Sequence, residues 1–536
     1  MVDTPEISIA STPRCVGVVF KGRYVESSPT TLRIVCPFCE EALQSIQDTR
    51  VHFETCDDFH RKWSPFKEMS TDALTAVLNT TIKKDEAVKA ITFYDMLLAQ
   101  TDGSQFNIMF SSSSSTGKTY DVSQVSDYFP RSEVLEIAGA SPTSFVHDVG
   151  VRVVETQPGH YEELSPILEK LQGELSDLQA STTAADRRRK RELKGEISGL
   201  LDRAKVLVNL KGKIVIFLDQ PNGVLLSKIR PFLSHDRQDL EFTITDKNSG
   251  GANRTKHVIM RGYASVFFCT AYSVIDEQES TRLLVLSPET TSEKIVESLN
   301  LTAEKLGDSQ KFEEGLENDP ARTSLKFRIE LIRASGIKGF LSDGKAIVSR
   351  FMSEHHNVRP RYQRDLPRLF SLVQASALLN CFNRELNSSE TISVNQSDID
   401  AGFSLYSQVM KSNELGVSDE VLRFYQEVML PLYEEKKCGL GYRELGAKYY
   451  DLYHRTVSQD RLRQQFIPSL LTAGLVSEDQ DPTNRRRSIF APNMRGAGVD
   501  KTEPIESVVA DNATNSTLNT KDVHHDPTHI MTPTSP

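Results

Sequence analysis

At 536 residues the chain is too long for one compact domain and long enough for two to four. Its 38% hydrophobic and 25% charged content is that of a globular protein, and a net charge of −10 excludes polyanion binding by the chain as a whole. Nucleic-acid contacts must then come from local basic patches. No apolar run approaches the ~20 residues a bilayer requires. The first residues, Met1 to Glu6, are polar and acidic, unlike a secretory leader. Seven cysteines, four of them within the first 56 residues, do not read as a disulfide scaffold, so the expected compartment is the cytoplasm.

Residues 1–12 read as a loose leader, and Arg14–Arg33 alternates apolar and polar side chains as a hairpin would. Cys36, Cys39, His52 and Cys56 follow with the spacing C-x2-C-x12-H-x3-C. Two thiolates on a tight knuckle and two ligands a helical turn apart suit a tetrahedral Zn²⁺ site. Phe38 and Phe53 offer a small core. His60 rivals His52 as a ligand, and Cys15 is a further alternative. Four ligands leave no open position, so such a zinc is structural. The alternative is a set of reduced cysteines beside a surface histidine.

Leu74, Val77 and Leu78, then Val88, Ile91, Tyr94, Leu97 and Leu98, carry helical spacing across 66–101. Strand-like Phe106–Phe110 leads into Ser112-Ser-Ser-Ser115-Thr116-Gly117-Lys118-Thr119, a phosphate-binding loop whose leading Gly is replaced by Ser112. Loop N–H groups would wrap phosphates, with the positive end of the following helix aimed at them. Lys118 would reach the β/γ-phosphates of ATP, and Thr119 would hold Mg²⁺. Ser112, Ser115, Thr116, Gly117 and Tyr120 complete the expected nucleotide contacts. Serine suffices at 112 if no positive φ is needed there.

Val134–Ala138 and Val151–Glu155 read as strands, and Tyr161–Ala180 and Asp186–Val206 as polar helices. The second helix carries Arg187-Arg-Arg-Lys-Arg191, either a basic insert facing DNA or a solvated face balanced by Glu192 and Glu196. Ile214–Leu218 is an apolar strand that ends in Asp219, a second Mg²⁺ ligand acting through water. Leu240–Thr245 and Lys256–Met260 flank a Gly/Asn-rich stretch, giving a long hairpin with basic Lys247, Arg254 and Lys256 near its end. Val266–Thr270 and Leu283–Leu286 complete a set of strands alternating with helices, the pattern of a parallel α/β sheet.

From about 323 the pattern turns helical, with apolar spacing in Phe327–Ile337, Pro367–Asn383 and 419–435. Leu440–Tyr453 and Ser458–Leu471, the latter with Ser458 as N-cap, precede a hairpin bearing Arg485, Arg486 and Arg487. Arg461 and Arg463 on the second helix and the three hairpin arginines suit phosphate contact and groove insertion. Residues 493–536 have few large apolar groups and read as a disordered tail.

Ser-Ser-Ser-Thr-Gly-Lys-Thr, Phe-Leu-Asp-Gln-Pro, Arg-Pro-Phe-Leu-Ser-His-Asp and Arg-Thr-Lys-His-Val, in this order over about 85–385, resemble the MCM-like AAA+ ATPases of prokaryotes and mobile elements. The resemblance implies an α/β AAA+ core with a parallel sheet and an inserted hairpin (66–322). A zinc module (1–65) would precede it. A helical lid (323–415), a winged-helix domain (416–492) and the tail (493–536) would follow. It makes Thr270 the sensor, Arg282 the arginine finger reaching a neighbouring subunit, and Arg364 the lid arginine, with Arg361 and Arg368 as alternatives. It further implies a homo-oligomer, a hexameric ring, that translocates on DNA. One departure matters. The family places Glu after the metal-binding Asp, but here Gln220 follows, and an amide cannot take a proton from water. Glu155 is a substitute candidate. Gln220 keeps open a nucleotide-switched DNA-binding factor with weak ATPase, and a third reading is a P-loop protein with no nucleic-acid role.

Overall fold

The structure, a computed structural model, describes residues 67–493 except 113–115, 139–149, 179–182, 220–228, 230–232, 234–237, 248–252, 271–281, 356–359, 389 and 483. At 244–247, 253–256, 411 and 485–486 it describes backbone alone. Before 67 it describes the backbones of β1 (Ser8–Thr12), β2 (Cys15–Phe20), β3 (Arg23–Ser27), β4 (Ile34–Val35) and β5 (Ala42–Leu43). The hairpin expected over Arg14–Arg33 is β2–β3, with Phe20 opposite Arg23. Cys36, Cys39, His52, Cys56 and His60 lie outside the described residues.

The fold is α/β. Five apolar runs stand side by side as a parallel sheet: β6 (Asn107–Ser111), β7 (Val134–Ile137), β11 (Ile214–Phe217), β14 (Ser265–Thr270) and β15 (Leu284–Leu286). Their order is β15-β6-β14-β11-β7. Every residue of β6, β11, β14 and β15 is buried. That explains why these strands read as unbroken apolar runs, since a parallel sheet is covered on both faces. Helices α1 (Thr71–Leu78) and α2 (Glu86–Leu98) supply one cover. The second is apolar nearly all round because it is buried between the sheet and later helices. Asp95 within it is fully buried, accepts the Phe106 N–H at 3.0 Å and pins the helix to the start of β6. Burial holds its carboxyl well above the usual range.

Val151–Glu155 does not join this sheet, contrary to expectation. It forms β8 (Val151–Gln157) of a second sheet, ordered β12-β13-β10-β8-β9, with β9 (His160–Glu163), β10 (Lys205–Asn209), β12 (Asp239–Lys247) and β13 (Asn253–Arg261). The polar stretch from Tyr161 therefore begins as a strand, and only then becomes α4 (Leu164–Asp177), after α3 (Lys118–Ser126). The next helix, α5 (Ala184–Arg203), ends before β10. The inserted hairpin is longer than its apolar residues indicate, since pairing runs from Asp239↔Arg261 to Lys247↔Asn253. Its root residues Val258 and Met260 share one core with Met109, Val215, Phe217 and Phe268 of the parallel sheet.

Helices resume at Ser292, ahead of the expected 323: α6 (Ser292–Gly307), α7 (Ser309–Glu317) and α8 (Pro320–Ser335). The last starts on a Pro after the capping Asp319, whose side chain accepts two backbone N–H groups, and ends on left-handed Gly336. Then come β16 (Gly339–Leu341), α9 (Gly344–Glu354), α10 (Tyr362–Leu379), the hairpin β17 (Leu386–Ser388) and β18 (Thr391–Ser393), and α11 (Gln396–Leu415). A helix-rich unit follows: α12 (Asp419–Arg423), a π turn (Phe424–Met429), α13 (Leu430–Lys436) and α14 (Tyr442–Tyr453). It continues through α15 (Gln459–Arg461), a second π turn (Leu462–Phe466) and α16 (Ile467–Thr472) into the hairpin β19 (Val476–Asp481) and β20 (Asn484–Pro492). Its own core gathers Leu445, Leu462, Phe466, Leu470 and Phe490. Ser458 accepts the Arg461 N–H as its N-cap.

Arg333 of α8 bridges two carboxylates, the largely covered Glu330 (2.9 Å) and the buried Glu133 just before β7. Burial raises Glu330 to about 7, against the pull of Arg333. The folded chain thus binds this proton more tightly than the unfolded chain, whose carboxyl titrates near 4.5. Stability is fully present below that value and is lost as pH rises through 7, by on the order of 3 kcal/mol. Urea unfolding between pH 4.5 and 8 should show this fall, and Glu330→Gln should flatten it.

Candidate nucleotide site

β6 ends at Ser111, and the chain turns through Ser112 and Thr116 into α3. The two hydroxyls are 2.5 Å apart. Ser112 is fully buried. Among the described residues the left-handed non-glycine positions are Lys84, Asp85, Lys437 and His454, so serine is unstrained at 112. Gly117 has φ +95°, which a side chain would strain, and it forms the N-cap of α3. Lys118 donates to the Ser112 carbonyl at 2.7 Å, which holds its ammonium across the loop. Burial lowers its pKa. Thr119 and Tyr120 are exposed on the first turn, and the Tyr120 hydroxyl donates to the Thr81 carbonyl at 3.0 Å. Ser115 lies outside the described residues.

Strand order decides what faces this loop. β14 lies between β6 and β11, with Thr270 paired to Ser111 and Phe268 to Phe217. Because all three strands run parallel, Thr270 and Asp219 emerge at the same edge as the loop. Thr270 is buried and Asp219 exposed. Cys269, its thiol raised to about 11 by burial, is touched by the Thr119 hydroxyl and feels Lys118 and Asp219. These side chains therefore share one neighbourhood. The hydroxyl of Thr119 and the carboxylate of Asp219 are hard oxygen donors of the kind Mg²⁺ takes. Gln220 lies outside the described residues. Glu155 is not at this edge. It lies in the second sheet, where it accepts the Gly159 N–H and pairs with Lys205 at 3.2 Å.

The sequence reading missed the charges behind the loop. Lys294 of α6 is buried, bridges to the Asp85 carboxylate, and lies 3.9 Å from Asp121 on α3 and 3.5 Å from the Thr116 carbonyl. Asp121 is held well above the usual carboxylate range by burial and then by Asp85. Lys294 and Asp85 stand 209 positions apart, which leaves no local pattern to read. Replacing Lys294 with Ala should cost on the order of 3 kcal/mol in urea unfolding, since it strands two buried carboxylates, whereas Lys294→Ala with Asp85→Asn should recover part of that loss.

A cavity of about 600 Å³ opens beside the loop, lined by Thr116, Gly117, Tyr120, Lys294, Glu420 and Arg461 among others. A second, of about 770 Å³, lies at the opposite end of the sheet beside Phe106 and Asn107. Arg282, which precedes β15, and Arg364 of α10 both line it. They are thus brought together, away from the loop of their own chain. Arg361 and Arg368 are bound to buried Asp365 at 2.9 and 2.8 Å.

Of the basic groups, Lys247, Arg254 and Lys256 lie on the backbone of the long hairpin, where Asp246 stands opposite Arg254. Arg485 and Arg486 lie on β20 and Arg487 is exposed. In the 187–191 run, Arg188 pairs with Glu192 and Arg189 with Glu174, all on exposed surface. Arg461, expected to contact phosphate, is paired with Glu420 at 2.6 Å. Among the described residues no group of three or more His, Cys, Asp or Glu could hold a metal, and no helix is long and apolar enough to cross a membrane.

No protein-family model matches the chain, and no curated protein does. Among solved structures, the crystal structure of a full-length MCM homolog from Methanopyrus kandleri is similar over 75% of this chain and 74% of that one, at 10% identity and a TM-score of 0.36. A likeness of that size carries no functional weight, and the geometry of the site has to supply it.

Proposed function

We propose that the chain is an AAA+ ATPase that works as an oligomer and drives movement along, or remodelling of, DNA. The observation that carries this reading is the strand order, which brings Lys118, Thr119, Thr270 and Asp219 to one edge. Lys118 binds the β/γ-phosphates of ATP, while Thr119 and Asp219 hold Mg²⁺. When bound, that ion neutralises charge on the phosphate oxygens. Thr270 orients the attacking water or the γ-phosphate. Ser112, Ser115, Thr116, Gly117 and Tyr120 complete the pocket.

Arg282 and Arg364 share a cavity at the far end of the sheet, which suits action on the nucleotide of a neighbouring subunit. In this reading Arg282 is the finger that stabilises transition-state charge, and a hexameric ring repeats the interface. The hairpin bearing Lys247, Arg254 and Lys256 contacts DNA, as do Arg485, Arg486 and Arg487 on a winged helix spanning 416–492. Its helix, helix and hairpin order supports that assignment. Cys36, Cys39, His52 and Cys56 would hold a structural zinc in the module 1–65. The ATPase core spans 66–322 and the lid 323–415.

A second reading is a nucleotide-switched DNA-binding factor with weak ATPase. Gln220 after Asp219 favours it, because no carboxylate follows to take the water's proton.

ATP turnover measured with and without DNA separates the two, together with strand displacement. A motor should be stimulated by DNA; equal turnover and no displacement would favour the switch. Lys118→Ala should abolish ATP binding. Arg282→Ala should keep binding but lower turnover by about 10³-fold. Mixing the two inactive variants should restore part of the activity, because a shared site then pairs an intact loop with an intact finger.

A further inference from the structure

The C-terminal unit is fastened beside the phosphate loop. Just ahead of it, on α11, the Asn413 side chain exchanges hydrogen bonds with the Val285 backbone, 2.7 and 2.8 Å, at the outer strand of the parallel sheet. The Asp419 N–H reaches Ser287 Oγ at 3.3 Å, and that hydroxyl donates to the Ser111 carbonyl at 2.7 Å. Arg455 donates to the Thr290 carbonyl just before α6. These contacts set Glu420 and Arg461 in the wall of the cavity that also contains Thr116 and Gly117.

The pair they form is incompletely satisfied. Glu420 is buried, 7% exposed, and only Oε1 is bonded, to Arg461 Nη2 at 2.6 Å. Its Oε2 is buried with no hydrogen-bond partner. A carboxylate beside a phosphate loop repels polyphosphate, and a guanidinium's planar fork matches phosphate oxygens as well as it does a carboxylate. Arg461 also stacks its guanidinium over the Phe466 ring, 4.8 Å from the centroid, and its Nε donates to Gln465 Oε1 at 3.4 Å, so these contacts hold the group in the cavity wall while Nη2 is the atom that meets the anion. Lys118 feels both groups, Glu420 and Arg461 in opposite senses.

We infer that Arg461 is a nucleotide-binding residue supplied by the C-terminal unit of the same chain, and that it exchanges Glu420 for the phosphates of a bound nucleoside triphosphate. The seating of the C-terminal unit then depends on the nucleotide. This inference rests on the reading of the loop as a nucleotide site.

The test is titration of the full chain with a fluorescent ATP analogue and the matching ADP analogue, with thermal unfolding of each variant alongside. Arg461→Ala should weaken the triphosphate on the order of tenfold, and the diphosphate less. Glu420→Gln, which keeps the shape and removes the competing charge, should tighten the triphosphate several-fold. Unchanged binding by Arg461→Ala would overturn the inference. So would a Glu420→Gln variant that binds no tighter than wild type, a readout that holds even if Arg461→Ala fails to fold. A purely structural pair would weaken binding in both variants together. If wild type does not bind, or Lys118→Ala binds as tightly as wild type, the nucleotide-site reading itself falls; if Lys118→Ala loses binding and Arg461→Ala does not, only this inference does.

Discussion

The stacked rings of Phe217 and Phe268, 5.1 Å apart, are the contact on which the candidate site depends. They sit two residues before Asp219 and Thr270 on neighbouring parallel strands. Their stacking fixes the relative height at which the carboxylate and the hydroxyl leave the sheet. The same rings belong to the core that receives the root of the inserted hairpin. A close-packed core transmits displacement rather than absorbing it. Any change in the spacing of Asp219 and Thr270 is therefore felt at Val258 and Met260, and through a continuous ladder at the hairpin's far end.

Charge around the loop is arranged in depth. Lys118 is held forward by a backbone carbonyl, while Lys294 stands behind, paired with Asp85 and 3.9 Å from Asp121. The rear lysine holds the first turn of α3 to the segment after β15, which keeps the loop's two ends in register without placing a second free cation on the phosphates. Burial makes both arrangements stiff, because separating such groups in a low-dielectric interior is costly.

Much of the sheet was legible because fully buried parallel strands leave apolar runs, as in Ile214–Phe217 and Ser265–Thr270. Gly117 and Ser458 announced their turns by residue type alone. What stayed hidden came from pairing between distant segments. Val151–Gln157 has the composition of a core strand but buries only Val153 and Val154, and it joined the second sheet through β10, whose strand character was masked by the polar helix before it. Helices α6 and α7 escaped; they are mostly exposed, with Leu299 and Leu306 facing outward, and they bury little or none of their apolar surface. The loop, Asp219 and Thr270 could be read in order from sequence. That Arg282 and Arg364 line one cavity at the other end of the sheet could not, since Arg364 is brought there by α10, which packs on α2 far away in sequence.

Asn413 has a further consequence. β15 is an outer strand of the parallel sheet, and such a strand offers unpaired backbone groups to any passing chain. One side-chain amide here imitates a neighbouring strand, giving Val285 both a donor and an acceptor. The sheet is finished by a single residue. A chain that would add a strand along that border finds its place at Val285 already taken.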